Sequence, residues 1–386
     1  MTIYVVQEGD TVDEIAAKTG ADLNTLLETN QLEYPYRLAI GQALLLFAKG
    51  ERQMRKAVKG RPLAESNGYA YPFISEWILG ETLPFLSELS VFSYGFTAKG
   101  ELLPPTLDDK WMVEQAIKTK TSPTLTLTPL GVDGRFNNSL VSALVRQESV
   151  QMTLLRNLVG EMTQKGYGGV NIDFEYVLSE DRDAFTDFVR RATNLLNPFG
   201  YYVTVALAPK YSDNQAGLLY EGMDYGGLGQ AANGVFLMTY EWGYTYGPPM
   251  AVAPINQVRR VVEYALGRIP AKKISLGVPN YGYDWPLPYQ RGVTKAVTLG
   301  YTEAIQRAVF YGAPIRFDEE SQSPYFRFWQ YGVEHEVWFE DVRSYEAKFD
   351  LVKMYGLKGI GVWQIMRLFR AGWELLDYQF QIEKND

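Results

Sequence analysis

Residues 168–177 read GGVNIDFEYV. Asn171, Asp173 and Glu175 alternate there with Val170, Ile172 and Phe174, which predicts a β-strand with one polar and one apolar face. Side chains at i, i+2 and i+4 share a face, rising ~6.6 Å per two residues. Two carboxylates therefore project together from an otherwise apolar strand. Burying them is costly unless they are paired or hydrogen-bonded, so an ion-paired core group is one reading. Glycoside hydrolysis is the other. One carboxyl must stay protonated to serve the leaving oxygen, and a negative neighbour raises its pKa. The usual partner carboxylate sits across the sugar ring. Asp173 shares a strand with Glu175 and does not easily face it across a substrate. The spacing therefore favours substrate-assisted chemistry, in which the sugar's 2-acetamido oxygen attacks the anomeric carbon.

Composition narrows the alternatives. The chain has 386 residues, 46% of them hydrophobic and 21% charged, enough for one large domain and an additional unit. There is no Cys, which excludes disulfides and thiolate metal sites. The single His, His335, rules out a zinc site with several His and restricts any Ser-His-Asp arrangement to that residue. His335 is expected to be structural, no metal or cofactor is expected, and hydrolysis would rest on carboxylates. A net charge of −8 argues against nucleic acid or an anionic membrane as the main partner, and a monomer is expected. Aromatic residues make up 14%, with 27 Tyr and 8 Trp, which suits either sugar stacking or a large core. The opening MTIYVVQEGDTV lacks the layout of a signal peptide, and no run of about 18 apolar residues suggests a membrane span.

The elements that must position the carboxylates follow from periodicity. Strand-like runs begin near Gly68, Leu89, Thr124, Gly169, Tyr202, Gly234, Lys273 and Gly359, with helical patterns between them such as SALVRQESVQMTLLRNLVGEMTQKG and EDRDAFTDFVRRATNLLNPFG. Eight β-α repeats predict an α/β fold, a (β/α)8 TIM barrel, over residues 65–386. The last gap between strand starts, 359 − 273 = 86 residues, predicts a small α+β insertion between strands seven and eight at about 285–345. Active sites of such barrels lie at the C-terminal strand ends. Glu175 is expected to end strand four, with Asn171, Asp173 and Glu175 pointing inward.

Residues 1–48 form a separate β-α-α-β unit. Thr11 is a candidate helix N-cap with Glu14 three residues on. Gly9-Asp10-Thr11, Ile15-Ala16, Leu26, Asn30, Ile40 and Gly41-Gln42 resemble a LysM domain. The resemblance implies binding to the N-acetylglucosamine backbone of peptidoglycan or chitin, with Gly9, Asp10, Thr11 and Asn30 as sugar contacts. Thr11 and Asn30 also read as a cap and a turn former. Residues 49–64 are a basic linker, either packed on the acidic first unit or a solvated hinge.

The central strand carries a second resemblance. GGVNIDFE is similar to the DGxDxDxE signature of glycoside hydrolase family 18. That implies Glu175 as general acid/base and Asp173 as the residue that orients the acetamido group. Gly168 and Asn171 replace two aspartates of the signature, and Asn171 can hydrogen-bond Asp173 but cannot take its charge. MTYE, residues 238–241, looks like the family's MxYD. It implies a catalytic Tyr240 and a secondary catalytic role for Glu241, which stands where Asp is usual, with Met238 beside them as a substrate contact. Trp363 matches the tryptophan beneath the reacting sugar. The family's Ser-x-Gly-Gly motif on strand three has no clear counterpart in TLTLTPLG. Within the family, MTYEWGYTYGPPMAVAPI, PNYGYDWPLPY, SPYFRFW and HEVWFED look like the spore-cortex-lytic N-acetylglucosaminidase branch. Members of that branch usually carry two LysM units; one is found here. Trp242, Tyr244, Tyr281, Tyr283 and Trp285 are expected on loops that line a glycan groove. The resemblance implies an endo-acting enzyme of spore-cortex peptidoglycan, whose strands alternate N-acetylglucosamine and muramic residues including muramic-δ-lactam. The missing signal sequence fits deposition in the spore coat or cortex. A chitinase of the same mechanism and an inactive glycan-binding coat protein are the alternatives, and the presence of Glu175 weighs against the second.

Overall fold

A computed structural model describes residues 1–54 and 60–384. Eight parallel strands form its centre: Leu63–Ala70, Glu88–Phe96, Ser122–Leu127, Gly169–Ile172, Tyr202–Leu207, Gly234–Leu237, Ile274–Pro279 and Gly359–Trp363. Each pairs with the next, and the eighth pairs back onto the first, which closes the barrel. The first strand starts at Leu63, ahead of the expected Gly68. The fourth ends at Ile172, so Glu175 lies beyond it rather than on its last residue. One further backbone bond, Asp173 N–H to the Leu127 carbonyl at 2.9 Å, keeps the chain extended past the strand.

The expected alternation holds along this segment. Val170, Ile172 and Phe174 are buried in the layer between sheet and helices, where Phe174 stacks on Phe185 and Phe188. These two belong to the helix Arg182–Leu196, whose buried Phe185, Phe188, Val189, Ala192 and Leu196 follow the spacing of one helical face. The long helical pattern before strand four is two helices, Asn138–Val145 and Glu148–Lys165. The break falls where Gln147 is extended and Arg146 turns to pair with Asp181 and Glu180. No helix among the described residues is long and apolar enough to cross a membrane.

The insertion is an antiparallel five-stranded sheet with the helix Tyr301–Tyr311, running from Gly282 to Trp338. His335 sits inside it. Its Nδ1 lies 2.7 Å from Asp284 Oδ1 and its ring stacks on Phe328.

In the N-terminal unit, strands Thr2–Val5 and Ala43–Leu46 pair antiparallel around helices Val12–Thr19 and Leu23–Thr29. Thr11 caps the first helix in the expected box with Glu14. One face of the unit closes its own small core, and the other joins the barrel's: Ala39, Ala43, Leu45 and Phe47 pack with barrel residues. The Ile315 N–H bonds the Ile40 carbonyl at 2.8 Å, and the Arg370 N–H bonds Gln31 at 2.8 Å. The basic run takes part. Residues Glu51–Met54 are helical, and Arg52 bridges Glu28 and Glu374 across the two units. This favours the packed alternative over the hinge, although residues 55–59 of the run lie outside the described residues.

Gly41 makes this junction possible. It has φ +81, and a Cβ there would sit 1.9 Å from the Ile315 carbonyl oxygen. Gly134 has φ +71 with open space around it. Gly134→Ala should cost only the left-handed backbone penalty, about 1–2 kcal/mol. Gly41→Ala should cost about 1–3 kcal/mol more, because backbone must move as well. Chemical denaturation of the two variants measures the difference.

Candidate active site

The C-terminal ends of the strands surround a cleft of about 510 Å³. Asp173 and Glu175 reach it from strand four. Met238, Tyr240, Glu241, Trp242 and Tyr244 reach it from the segment after strand six, and Trp363 from the end of strand eight. Trp363 is held by Tyr69, Tyr71 and Phe92, all at steep angles to its ring.

Asp173 is buried, and its Oδ1 has no hydrogen-bond partner among the described residues. Burial, followed by the charge of Glu175, pushes its carboxyl well above the ordinary range. Glu175 is half-buried at the mouth. Burial and then the Glu241 charge raise it too, which favours the protonated form that a general acid requires. Tyr240 is buried in the cleft wall, and burial pushes its phenol well up, so it remains an O–H donor.

Glu241 adopts φ +68, a left-handed conformation that is strained for a residue with a Cβ. Tyr281 and Tyr283 hold it there, donating hydroxyls to the same Oε1 at 2.5 and 2.9 Å. Burial raises Glu241, and those two donors pull it back toward the charged form.

Several expected roles need correction. Tyr281, Tyr283 and Trp285 do not line the cleft. All three are buried; the tyrosines grip Glu241 and the Trp285 indole N–H bonds the Gly247 carbonyl at 2.8 Å. Asn171 lies inward but does not bond Asp173. Its amide donates to Thr204 Oγ1 at 2.8 Å and accepts from the Tyr69 hydroxyl at 3.3 Å. Asn30 is buried, and its side chain bonds the Leu26 carbonyl and both backbone groups of Leu45, so it ties helix to strand. Gly9 and Thr11 are exposed, while Asp10 accepts from the Gln7 N–H and the Tyr4 hydroxyl.

The cleft also contains residues that sequence reading missed: Tyr71, Phe92, Phe136, Tyr176, Leu219 and Tyr220. Tyr71 directly follows the C-terminal end of strand one, a position that could have marked it, and Phe92 lies within strand two. The others come from loops whose sequence carries no signal. Gly168, one of the two departures from the signature, has a local cause: a Cβ there would meet Ser122 Oγ at 2.6 Å.

Comparison with known proteins agrees with this geometry. The model of the glycosyl hydrolases family 18 matches residues 111–367. The chain belongs to glycosyl hydrolase family 18. A LysM domain model matches residues 4–47. The cortical fragment-lytic enzyme of Bacillus subtilis is 35% identical over 431 aligned positions, covering 100% of this chain and 99% of the relative. The enzyme of that name from Bacillus cereus is 36% identical over 428 positions, covering 99% of each. The crystal structure of the Bacillus cereus spore cortex-lytic enzyme SleL superposes with a TM-score of 0.93 at 32% identity, covering 100% of this chain and 99% of the other.

The two glutamates are electrostatically linked, which makes the pH profile a test. In the general-acid role expected of Glu175, its carboxyl works only while protonated, so activity would fall as pH rises through its pKa. The Glu241 charge raises that pKa. Glu241→Gln should therefore move the alkaline limb of kcat/KM to lower pH, measured on soluble glycan fragments.

Proposed function

We propose that the chain is a retaining endo-β-N-acetylglucosaminidase that cuts spore-cortex peptidoglycan by substrate-assisted catalysis. The observation that carries the mechanism is the buried, unpartnered Oδ1 of Asp173 beside Glu175 in the cleft. Buried polar atoms are nearly always hydrogen-bonded. An acetamido N–H from the substrate would satisfy this one and hold its carbonyl oxygen for attack.

In the first step Glu175 gives its proton to the glycosidic oxygen. The Tyr240 hydroxyl donates to the acetamido group while Asp173 holds the N–H, and an oxazolinium intermediate forms. The Oδ1 of Asp173 keeps accepting the N–H of that ring while it forms. Glu175, now a carboxylate, takes a proton from water, which opens the ring with retention. Glu241 is less suited to act as a covalent nucleophile, since one of its oxygens already accepts two phenol hydrogen bonds.

The relatives' names supply the substrate: both curated relatives are cortical fragment-lytic enzymes. Glycan strands of N-acetylglucosamine and muramic-δ-lactam are the substrate in this reading, with the LysM domain adding retention on the wall. The place of action is the spore coat and cortex. The protein acts as a monomer, and the net charge of −8 gives no attraction to nucleic acid or to anionic membranes.

Glu175→Gln should lower turnover by roughly 10²- to 10⁴-fold while glycan binding persists. Mass spectrometry of a cortex digest reads both the rate and the new end. Reducing N-acetylglucosamine ends support the proposal, reducing muramic ends indicate a muramidase, and an absence of new ends indicates a binding protein. Chitin oligomers run beside the cortex fragments distinguish a chitinase.

Asp173→Asn should separate activity from stability. The folded-state pKa of Asp173 is raised, so the fold holds this proton more tightly than the unfolded chain does. Its contribution to stability is complete below the unfolded carboxylate pKa, about 3.9, and declines as pH rises toward the folded value. The variant should thus melt higher than the parent at neutral pH, with the gain vanishing below about pH 4. It should also lose most turnover. A thermal-melt series against pH measures the first effect.

A further inference from the structure

The cleft holds Asp173, Glu175 and Glu241, and no Lys, Arg or His among the described residues lines it. Three acids there disfavour a sugar that carries a carboxylate of its own. A peptidoglycan strand has such groups at its muramic residues, on a free lactyl group or on a stem peptide; N-acetylglucosamine and the δ-lactam are neutral. Any negative charge on the strand is therefore better placed outside the cleft.

The segment after strand six leads out to such a place. Tyr244 lines the cleft, and Tyr246, two residues on, is 57% exposed. A turn of the insertion packs beside this segment. The Tyr289 hydroxyl bonds the Tyr246 carbonyl and the Ala296 N–H bonds the Thr245 carbonyl, both at 2.8 Å. Residues 285–302 contain two cations, Arg291 and Lys295, and no Asp or Glu. Both cations are exposed, and neither has an ion-pair or hydrogen-bond partner among the described residues. Arg307 and Arg327 of the insertion, by contrast, pair with Asp284 and Glu336. The turn that displays the two free cations is itself held in shape. The Gln290 N–H donates to the Thr294 hydroxyl at 2.8 Å, and the Thr294 N–H bonds the Gln290 carbonyl at 2.9 Å. Thr294 is buried, and Gly292 closes the turn at φ +79.

We propose that Arg291 and Lys295 form an outer subsite for the carboxylates of the glycan strand. The cleft takes neutral sugars, and an acidic substituent farther along the same strand is held on the insertion. Arg presents a planar fork that matches a carboxylate in two bonds, and Lys adds a point charge. Acids in the cleft and cations beside it set the register of the strand, since a shift that moved a carboxylate inward would bring it among three acids. The subsite acts on binding and not on the bond that breaks. This inference rests on the peptidoglycan reading of the substrate.

The test compares three soluble glycan fragments of one length with the full chain. One keeps its stem peptides, one has them removed to leave lactyl carboxylates, and one has its carboxylates converted to amides. Arg291→Gln with Lys295→Gln should raise KM roughly three- to tenfold on the fragments that carry carboxylates, with kcat unchanged. The larger rise of the two names the group that is held. Amidated fragments should show no rise, and the effect should shrink as salt is brought to about 0.5 M. Both positions are exposed, so folding is preserved. Lys118→Gln with Lys120→Gln is the control: it removes two exposed charges ahead of strand three, at the opposite end of the barrel. Unchanged KM in the first pair would overturn the proposal. So would an equal rise on amidated fragments, or an equal rise in the control pair, which would assign the effect to net charge. Failure of the hydrolase reading appears separately, as no cleavage of any fragment by the unsubstituted chain; the affinity of labelled fragments then reads the same comparison.

Discussion

The cost of removing carboxylates from water governs this protein. Asp173, Glu175 and Glu241 meet in one aromatic-walled cleft, and burial is the largest influence on each of them. Three negative charges in so small a volume favour keeping protons, and kept protons are what an acid catalyst needs. The barrel supports this arrangement from below. Val170, Ile172 and Phe174 anchor strand four against the helix Arg182–Leu196, so the opposite face must point inward. The strained backbone of Glu241 depends instead on the start of the insertion, through Tyr281 and Tyr283. The acidic groups of the cleft are thus destabilised locally and held by contacts elsewhere.

Departures from the family signature follow from this electrostatic setting. Asn171 occupies the position of a second aspartate, and it hydrogen-bonds Thr204 and Tyr69 rather than Asp173. A neutral amide there lowers the number of charges beneath the cleft. After burial, it is the charge of Glu175 that raises the Asp173 carboxyl. Glu241, longer by one methylene than the usual aspartate, reaches two phenols that lie behind the cleft wall. Its charge is thereby kept available to raise Glu175.

The LysM domain is integrated into this structure and is not a loosely tethered module. Its outer face contributes Ala43, Leu45 and Phe47 to the barrel's core, and Arg52 and Arg370 bridge the seam through Glu28. A tethered module raises local concentration; a docked one also fixes direction. The insertion between strands seven and eight takes part in that docking, through Ile315 and Ile40.

Much of this was legible in the chain. Alternation around Asp173 and Glu175 revealed the strand and its inward face, because the period of two is a property of the backbone alone. The Thr11–Glu14 box was legible for the same reason, being closed within one helical turn. Repeats of strand and helix revealed the barrel, and the long last gap its insertion. Depth was not legible. Tyr281, Tyr283 and Trp285 stand in a motif as aromatic as the cleft itself, and only the sheet of the insertion shows that they are covered. Asn30 reads as a turn former or a ligand until Leu45, fifteen residues away, takes both ends of its amide. Local sequence determined which face each residue occupies. What covers that face is decided by segments far along the chain, and it was the tertiary structure that separated the groups open to substrate from those that hold them in place.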